Sequence, residues 1–413
     1  MRCFSGRTWV LEFLESRQLL STVPTGLTPA QVRAAYQVDQ VQFQYGALRL
    51  AGNGAGQTIA IVNAHDAPTI DNDLRAFDAT FKLSDLDAYG NFALTKVMPQ
   101  GKVPADAGWS LETSLDVEWA HAIAPQAHLL LVEAKTASLS DLLAAVNYAR
   151  RRPGVVAVSM SWGGDEFGAE SLFDSTFVTP PGHTGGFGRR GGVTFVTASG
   201  DNGAPAGWPA VSPNVLVVGG TTLHTAPDGS YRGETGWSGS GGGLAWFEST
   251  ASPDVAYDAD PKSGFSVLDS TGGGNAGPWY QVGGTSAGSP QWAGLIAIAD
   301  QGRGYQGKGS LDGMREALPA LYRLPAGDFH DITSGYNGYF AGPGYDLVTG
   351  LGSPVANLLV DDLVQTPSVS PALYRWSSHP AAAPRAGAWR RLQYEFAFST
   401  HQILDETNSF VAA

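Results

Sequence analysis

Five stretches of the 413-residue chain read as near-continuous apolar β runs: GQTIAIVNA (Gly56 to Ala64), HLLLVEA (His128 to Ala134), VVAVSMSW (Val155 to Trp162), VTFVTAS (Val193 to Ser199) and VLVVGG (Val215 to Gly220). A strand with one face in water alternates apolar and polar side chains. Runs without that alternation need cover on both faces, the mark of a parallel sheet. Between them lie segments of helical spacing, through Asp71, Leu74 and Phe77 and again from Asp141 to Arg152. Strands alternating with helices of about ten residues imply right-handed crossover units. The expected fold class is α/β: one doubly wound, mostly parallel sheet with helices on both faces. Function is expected at the carboxyl ends of the strands.

Charge narrows the partners. With 25 Lys+Arg against 38 Asp+Glu the net charge is −13, so neither a nucleic acid nor an anionic membrane surface is an expected partner. No run of about 18 apolar residues occurs, which excludes a membrane-spanning helix. The single cysteine, Cys3, excludes an internal disulfide and a cysteine-based metal cluster. Glycine (53) and proline (25) are abundant and predict many tight turns. They concentrate in a loop-rich region over 225 to 280 that holds SGSGGG (Ser238 to Gly243) and STGGGNAG (Ser270 to Gly277).

The main domain is expected over 25–365. Residues 1–24 carry early positive charges, but Glu12 and Glu15 interrupt any apolar stretch, a poor match to a signal peptide. LESRQLLS, Leu14 to Ser21, resembles the LEPR-x-LL sorting segment of some exported bacterial proteins; a frayed helix is the other reading. An export segment and a secreted, extracellular protein are thus expected. Residues 366–413, with the low-complexity SHPAAAPRAG and the cluster Arg385, Arg390 and Arg391, read as a C-terminal extension with a solvated basic surface.

GGTSAGSPQWAGLIA, Gly283 to Ala297, is the most informative stretch. Glycines bring the backbone into a tight entry, Ser286 stands where a helix begins, and Pro290 lies in its first turn, where a missing N–H does no harm. A serine there faces unpaired backbone N–H groups able to stabilise an oxyanion, although Thr285 or Ser286 as a simple helix cap fits the same pattern. A serine nucleophile needs a base. Glu112 and Asp116 are four residues apart, so they project from one helix face and repel, and one of the pair is expected to hold a proton in mild acid. A solvated helix face would give the same spacing. A third acid, Asp201 in VTASGDNGA, follows directly on an apolar strand.

These residues resemble the sedolisin family, the serine-carboxyl peptidases that share the subtilisin fold. The matching motifs are ETSLDVEWA (Glu112 to Ala120), VSMSWG (Val158 to Gly163), TASGDNGA (Thr197 to Ala204), PDVAYDADPKSG (Pro253 to Gly264), GGTSAGSP (Gly283 to Pro290) and FHDITSGYNGYFAGPGYDLVTGLGSP (Phe329 to Pro354). They stand in family order over roughly residues 25 to 360. The resemblance implies a subtilisin-like fold and an endopeptidase with Ser286 as nucleophile, Glu112 as general base, Asp116 orienting Glu112, and Asp201 in the oxyanion hole. A carboxylate base stays ionised where histidine is protonated, and a neutral Asp201 can donate to an oxyanion, so activity is expected in acid. Ser161, Trp162 and Gly163 are expected to pair with extended polypeptide substrate as an added strand, and Ser238 to Trp246 to line the opposite side.

The same resemblance implies one structural Ca²⁺ on Asp331, the Ile332 carbonyl, the Gly342 and Gly344 carbonyls and Asp346. From residue types alone this is two acids around a Gly-rich loop, hard oxygen donors of the kind Ca²⁺ takes. The chain departs from the family in one respect: sedolisins carry a large N-terminal prosegment, and only about 25 residues precede the catalytic region here. A monomer is expected. Two alternatives stay open: a non-catalytic secreted binding protein on a peptidase scaffold, and a conventional Ser-His-Asp hydrolase using His65, although none of the eight histidines stands in an HGT context.

Overall fold

A computed structural model describes residues 12–13, 16–226, 228–272 and 277–368. Cys3, Leu14, Arg385, Arg390, Arg391 and the extension from 369 onward lie outside the described residues. Along the chain, β1 (Glu12–Phe13) and β2 (Ser16–Ser21) precede helix α1 (Pro29–Ala35) and the hairpin of β3 (Gln42–Tyr45) and β4 (Leu48–Ala51). Then come β5 (Thr58–Ala64), α2 (Ile70–Phe81), β6 (Leu94–Val97), α3 (Ala107–Ile123), β7 (His128–Ala134), α4 (Leu139–Ala149), β8 (Val155–Met160) and β9 (Trp162–Gly163). The next strands are β10 (Thr194–Ala198), β11 (Leu216–Thr225), β12 (Tyr231–Gly236), β13 (Gly243–Leu244), β14 (Ala251–Ser252), β15 (Val255–Asp258), β16 (Phe265–Leu268) and β17 (Trp279–Gly283). Helices α5 (Gly288–Tyr305) and α6 (Leu318–Leu321), strands β18 (Phe329–His330) and β19 (Ser353–Pro354), and helix α7 (Ala356–Gln365) close the chain.

The five apolar runs are β5, β7, β8, β10 and β11. They join an eight-stranded sheet in the order β12-β11-β10-β8-β5-β7-β6, with β15 beside β11. Every pairing in it is parallel except that of β12, which returns antiparallel along β11. Helices cover both faces. The larger core packs α2, α3, α5 and α7 against one face through residues such as Leu74, Trp119, Trp292 and Val360; the smaller packs α4 and its Leu142 and Val146 against the other. Burial of this apolar surface is the main favourable term in folding. The mostly parallel, doubly wound subtilisin-like sheet is as expected.

Three expectations change in detail. The run from Val155 ends as a strand at Met160, and Ser161 breaks it from β9. The loop-rich region over 225 to 280 holds six short strands, β12 to β17, because frequent glycines shorten strands without preventing them. Ser16–Ser21, read as part of a sorting segment or a helix, is the edge strand of a small sheet ordered β16-β17-β2.

Candidate active site

Helix α3 starts on Asp106, whose carboxylate accepts from the Gly108 and Trp109 backbone N–H groups, a standard N-cap. All its residues from Trp109 to Ile123 are buried, so Glu112 and Asp116 do not lie on a solvated face. They stand on one face of a helix wedged between the sheet, α2 and α5, both fully buried. Burying carboxylates among apolar neighbours is costly unless their oxygens are satisfied. Asp116 takes 2.9 Å from Asn63 Nδ2 and 2.7 Å from Ser161 Oγ. Burial pushes its carboxyl up to about 7, and the bonds from Ser161 and Asn63 pull the other way.

Asn63 is the site residue that sequence reasoning missed. It sits at the carboxyl end of β5, also 3.3 Å from Thr113 Oγ1, and its signal was positional: β5, β8 and β10 deliver Asn63, Ser161 and Asp201 to one end of the sheet.

Ser286 lies in a tight turn, Thr285–Ala287, between β17 and α5, entered through Gly284 at φ 130°, a conformation that favours glycine. The N-cap position of the turn is Gly284 and that of α5 is Ala287, so neither Thr285 nor Ser286 stands at a cap position. Ser289 fixes the helix start, with its Oγ 2.9 Å from Ser159 Oγ on β8 and 3.2 Å from the Val196 carbonyl on β10. Ser161 Oγ, which serves Asp116, also lies 3.2 Å from the Ser286 carbonyl oxygen. Asp201 Oδ1 accepts from the Thr285 N–H at 2.7 Å and from Thr285 Oγ1 at 2.8 Å. Its Oδ2 is out of solvent without a hydrogen-bond partner among the described residues, and burial raises the carboxyl to about 6 against those Thr285 bonds. Gly241 donates to the Gly200 carbonyl at 2.7 Å, setting the Ser238 to Trp246 stretch beside Asp201.

His65 follows β5 at φ 63°, and its ring faces Trp109 at 6.3 Å between centroids. Its Nδ1 has no hydrogen-bond partner among the described residues. A triad histidine needs a carboxylate there to fix its tautomer, so the geometry disfavours His65 as base.

Trp162 is fully buried, with Nε1 donating to the Val62 carbonyl at 2.9 Å. With Gly163 it forms a short strand whose pairing in the described structure is with β1: Glu12 opposite Gly163 and Phe13 opposite Trp162. Farther along, Asp331 and Asp346 converge on one loop. Asp331 accepts from Gly344 N–H at 3.1 Å, and Asp346 accepts from Gly342 N–H at 3.0 Å and from the Val348 and Thr349 N–H groups at 2.8 Å. Burial raises Asp346 to about 6. Among the described residues no cluster of three or more His, Cys, Asp or Glu forms a metal site; two carboxylates beside a glycine loop leave the remaining oxygens to backbone carbonyls, a donor set that fits Ca²⁺.

A family profile described as the Subtilase family matches residues 107–317. Kumamolisin of Bacillus sp. (strain MN-32) is 32% identical over 85% of this chain and 66% of its own length. Sedolisin of Pseudomonas sp. (strain 101) is 31% identical over 48% of this chain and 39% of its own length. The chain thus spans less than two thirds of these relatives. A solved structure of Pseudomonas sedolisin, a serine-carboxyl proteinase complexed with two molecules of pseudo-iodotyrostatin, superposes with a TM-score of 0.67 at 24% identity, covering 82% of this chain and 98% of that one. At that identity the likeness speaks for the fold.

Proposed function

The chain belongs to the subtilase family, in its sedolisin branch, and from that premise we propose that it is a serine peptidase, an endopeptidase acting on extended polypeptide in acid. The observation that carries this reading is that two buried carboxylates are tied to the Ser286 turn by hydrogen bonds. Asp116 reaches it through Ser161, and Asp201 holds Thr285. Ser286 Oγ attacks the scissile carbonyl, and Glu112, one helical turn before Asp116 on α3, takes its proton. Asp116 orients and tunes Glu112. Protonated Asp201, its Oδ2 lacking a partner among the described residues, donates to the oxyanion along with the Ser286 N–H. A carboxylate base and a neutral carboxyl donor coexist only in acid.

Backbone groups of Ser161 to Gly163 hold substrate as an added strand. Asp331, Asp346 and the carbonyls of Ile332, Gly342 and Gly344 would hold one Ca²⁺, which would neutralise the two carboxylates and stiffen the loop. Export follows from the resemblance of Leu14 to Ser21 to a sorting segment, and the protein is read as a monomer.

A pH series of peptide cleavage tests the mechanism. Wild type should be most active below pH 7, Ser286→Ala inactive, and Glu112→Ala reduced by about 10²- to 10⁴-fold, the usual contribution of a general base. Retained activity in Glu112→Ala, or a maximum above pH 7, would remove Glu112 as base. Repeating the series in chelator should lower activity and melting temperature if the loop holds Ca²⁺; an unchanged melting temperature removes the ion.

A further inference from the structure

Between Asp331 and Asp346 lies a residue that neither the catalytic steps nor the proposed cation uses. Asn337 is buried, and its polar groups are engaged in every direction. Its Nδ2 donates to the Ser240 carbonyl at 2.8 Å and to the Leu347 carbonyl at 3.1 Å, so both amide N–H bonds are used. Its Oδ1 accepts from the Tyr339 N–H at 3.0 Å, and its backbone carbonyl accepts from the Ala204 N–H at 2.7 Å. Backbones approach closely around it. A Cβ on Gly203 would lie 2.6 Å from the Asn337 carbonyl oxygen, and one on Gly242 would strike the Leu347 carbonyl oxygen. Removing the amide would leave two buried carbonyls without these donors, which costs their desolvation unless the segments move.

Ala204 stands at the end of the loop that carries Asp201. Residues 200–204 follow β10 without helix or strand, so bonds between loops set their place. Gly241 donates to the Gly200 carbonyl at 2.7 Å, Gly203 donates to the Gly239 carbonyl at 2.9 Å, and Ala204 donates to Asn337. Thr285 holds Oδ1 of Asp201; Oδ2 has no partner among the described residues, so its aim depends on where the loop puts the Asp201 backbone. Asn337 fastens that loop at Ala204, and through Nδ2 it also fixes Ser240, the neighbour of Gly241. We propose that Asn337 is a positioning residue for peptide hydrolysis, acting through the Gly200–Ala204 loop to hold Asp201 Oδ2 where the oxyanion forms. This rests on the peptidase reading and deepens it. An oxyanion develops only on the way to the transition state, so the loss falls on kcat rather than on substrate affinity.

A displacement of order 1 Å costs about 10²-fold in rate, so Asn337→Ala should lower kcat for a fluorogenic decapeptide by about 10- to 100-fold at about pH 5, with KM within about twofold. A double-mutant cycle with Asp201→Ala separates this from a general loss of structure. Once the carboxyl that Asn337 positions is gone, adding Asn337→Ala should change kcat by less than about twofold. If the alanine variant does not fold, Asn337→Asp gives the same cycle: it keeps the size and the bond from Tyr339 but offers at most one donor to the two carbonyls. Wild-type kcat in the folded Asn337 variant, or a loss in the Asp201→Ala background as large as in wild type, overturns the proposal and leaves the peptidase reading standing. Absence of hydrolysis from wild type itself overturns that reading and the proposal with it.

Discussion

At the residue scale the site is an arrangement of acids held by neutral partners. Asp116 is served by Asn63 and Ser161, Asp201 by Thr285, and no lysine or arginine is among these bonds. Burial without a cation raises a carboxyl, and both do rise, to about 7 and about 6. Asp201 is the group whose protonation state the mechanism uses most directly. Asp201→Asn keeps an acceptor for Thr285 and carries an N–H donor at every pH, so its activity should persist above pH 6 while wild type declines there. Asp201→Ala should lose about 10²- to 10³-fold in kcat at all pH values. Parallel pH profiles of the three proteins check this; a wild-type alkaline decline that Asp201→Asn leaves unmoved would assign it to another group. In the sequence Ser286 stood out as a serine at a helix entry and Asp201 as an acid directly after an apolar strand, whereas Glu112 and Asp116 showed only as an i,i+4 pair whose proposed roles came from the resemblance to the sedolisins. Asn63 did not stand out, since an asparagine ending a strand carries no chemical mark until Asp116 is seen against it.

At the element scale, the geometry depends on two entries. Gly284 at φ 130° turns the chain from β17 into the Ser286 turn, and a Cβ on neighbouring Gly283 would collide with the Pro261 backbone. An alanine at 284 is strained by about 1–3 kcal/mol, and a displacement of Ser286 of order 1 Å costs about 10²-fold in rate. Gly284→Ala should therefore lower kcat by about 10- to 100-fold with little change in far-ultraviolet circular dichroism; wild-type kcat would show that the turn tolerates the Cβ. Helix α3 teaches a different lesson. Its i,i+4 acids were visible, yet the spacing fits a wet face and a buried one equally. Only packing against the sheet, α2 and α5 decides that both acids are dry. The short strands of 225 to 280 were illegible for a related reason: strands of two to six residues among glycines have too few alternating positions to show a period.

At the scale of the whole molecule, buried acids set the response to pH. Asp116 and Asp201 are joined by Asp258, fully buried and raised to about 8 by desolvation, with Ser263 and Leu223 donors and the Glu234 and Asp260 charges acting after it. Each binds its proton more tightly folded than unfolded. The stability they contribute is full below the ordinary carboxylate range and is lost as pH rises through about 6 to 8. The melting temperature should rise on going from pH 8 to pH 5, by about 1 °C for each kcal/mol gained in a chain of this length. A melting temperature that falls over that interval would show that other groups dominate.

The sequence by itself determined the sheet, because uninterrupted apolar runs are stable only under cover on both faces, and it determined the chemical types at the site through motifs in fixed order. Tertiary structure decided what no local pattern encodes: that the acids of α3 are buried, that Asn63 and Ser161 serve Asp116, that Thr285 links Asp201 to the Ser286 turn, and that Glu12–Phe13 pairs with Trp162–Gly163. All are contacts between segments distant in the chain. Periodicity reports which face of an element is apolar; which other element meets that face is settled only when the whole core packs.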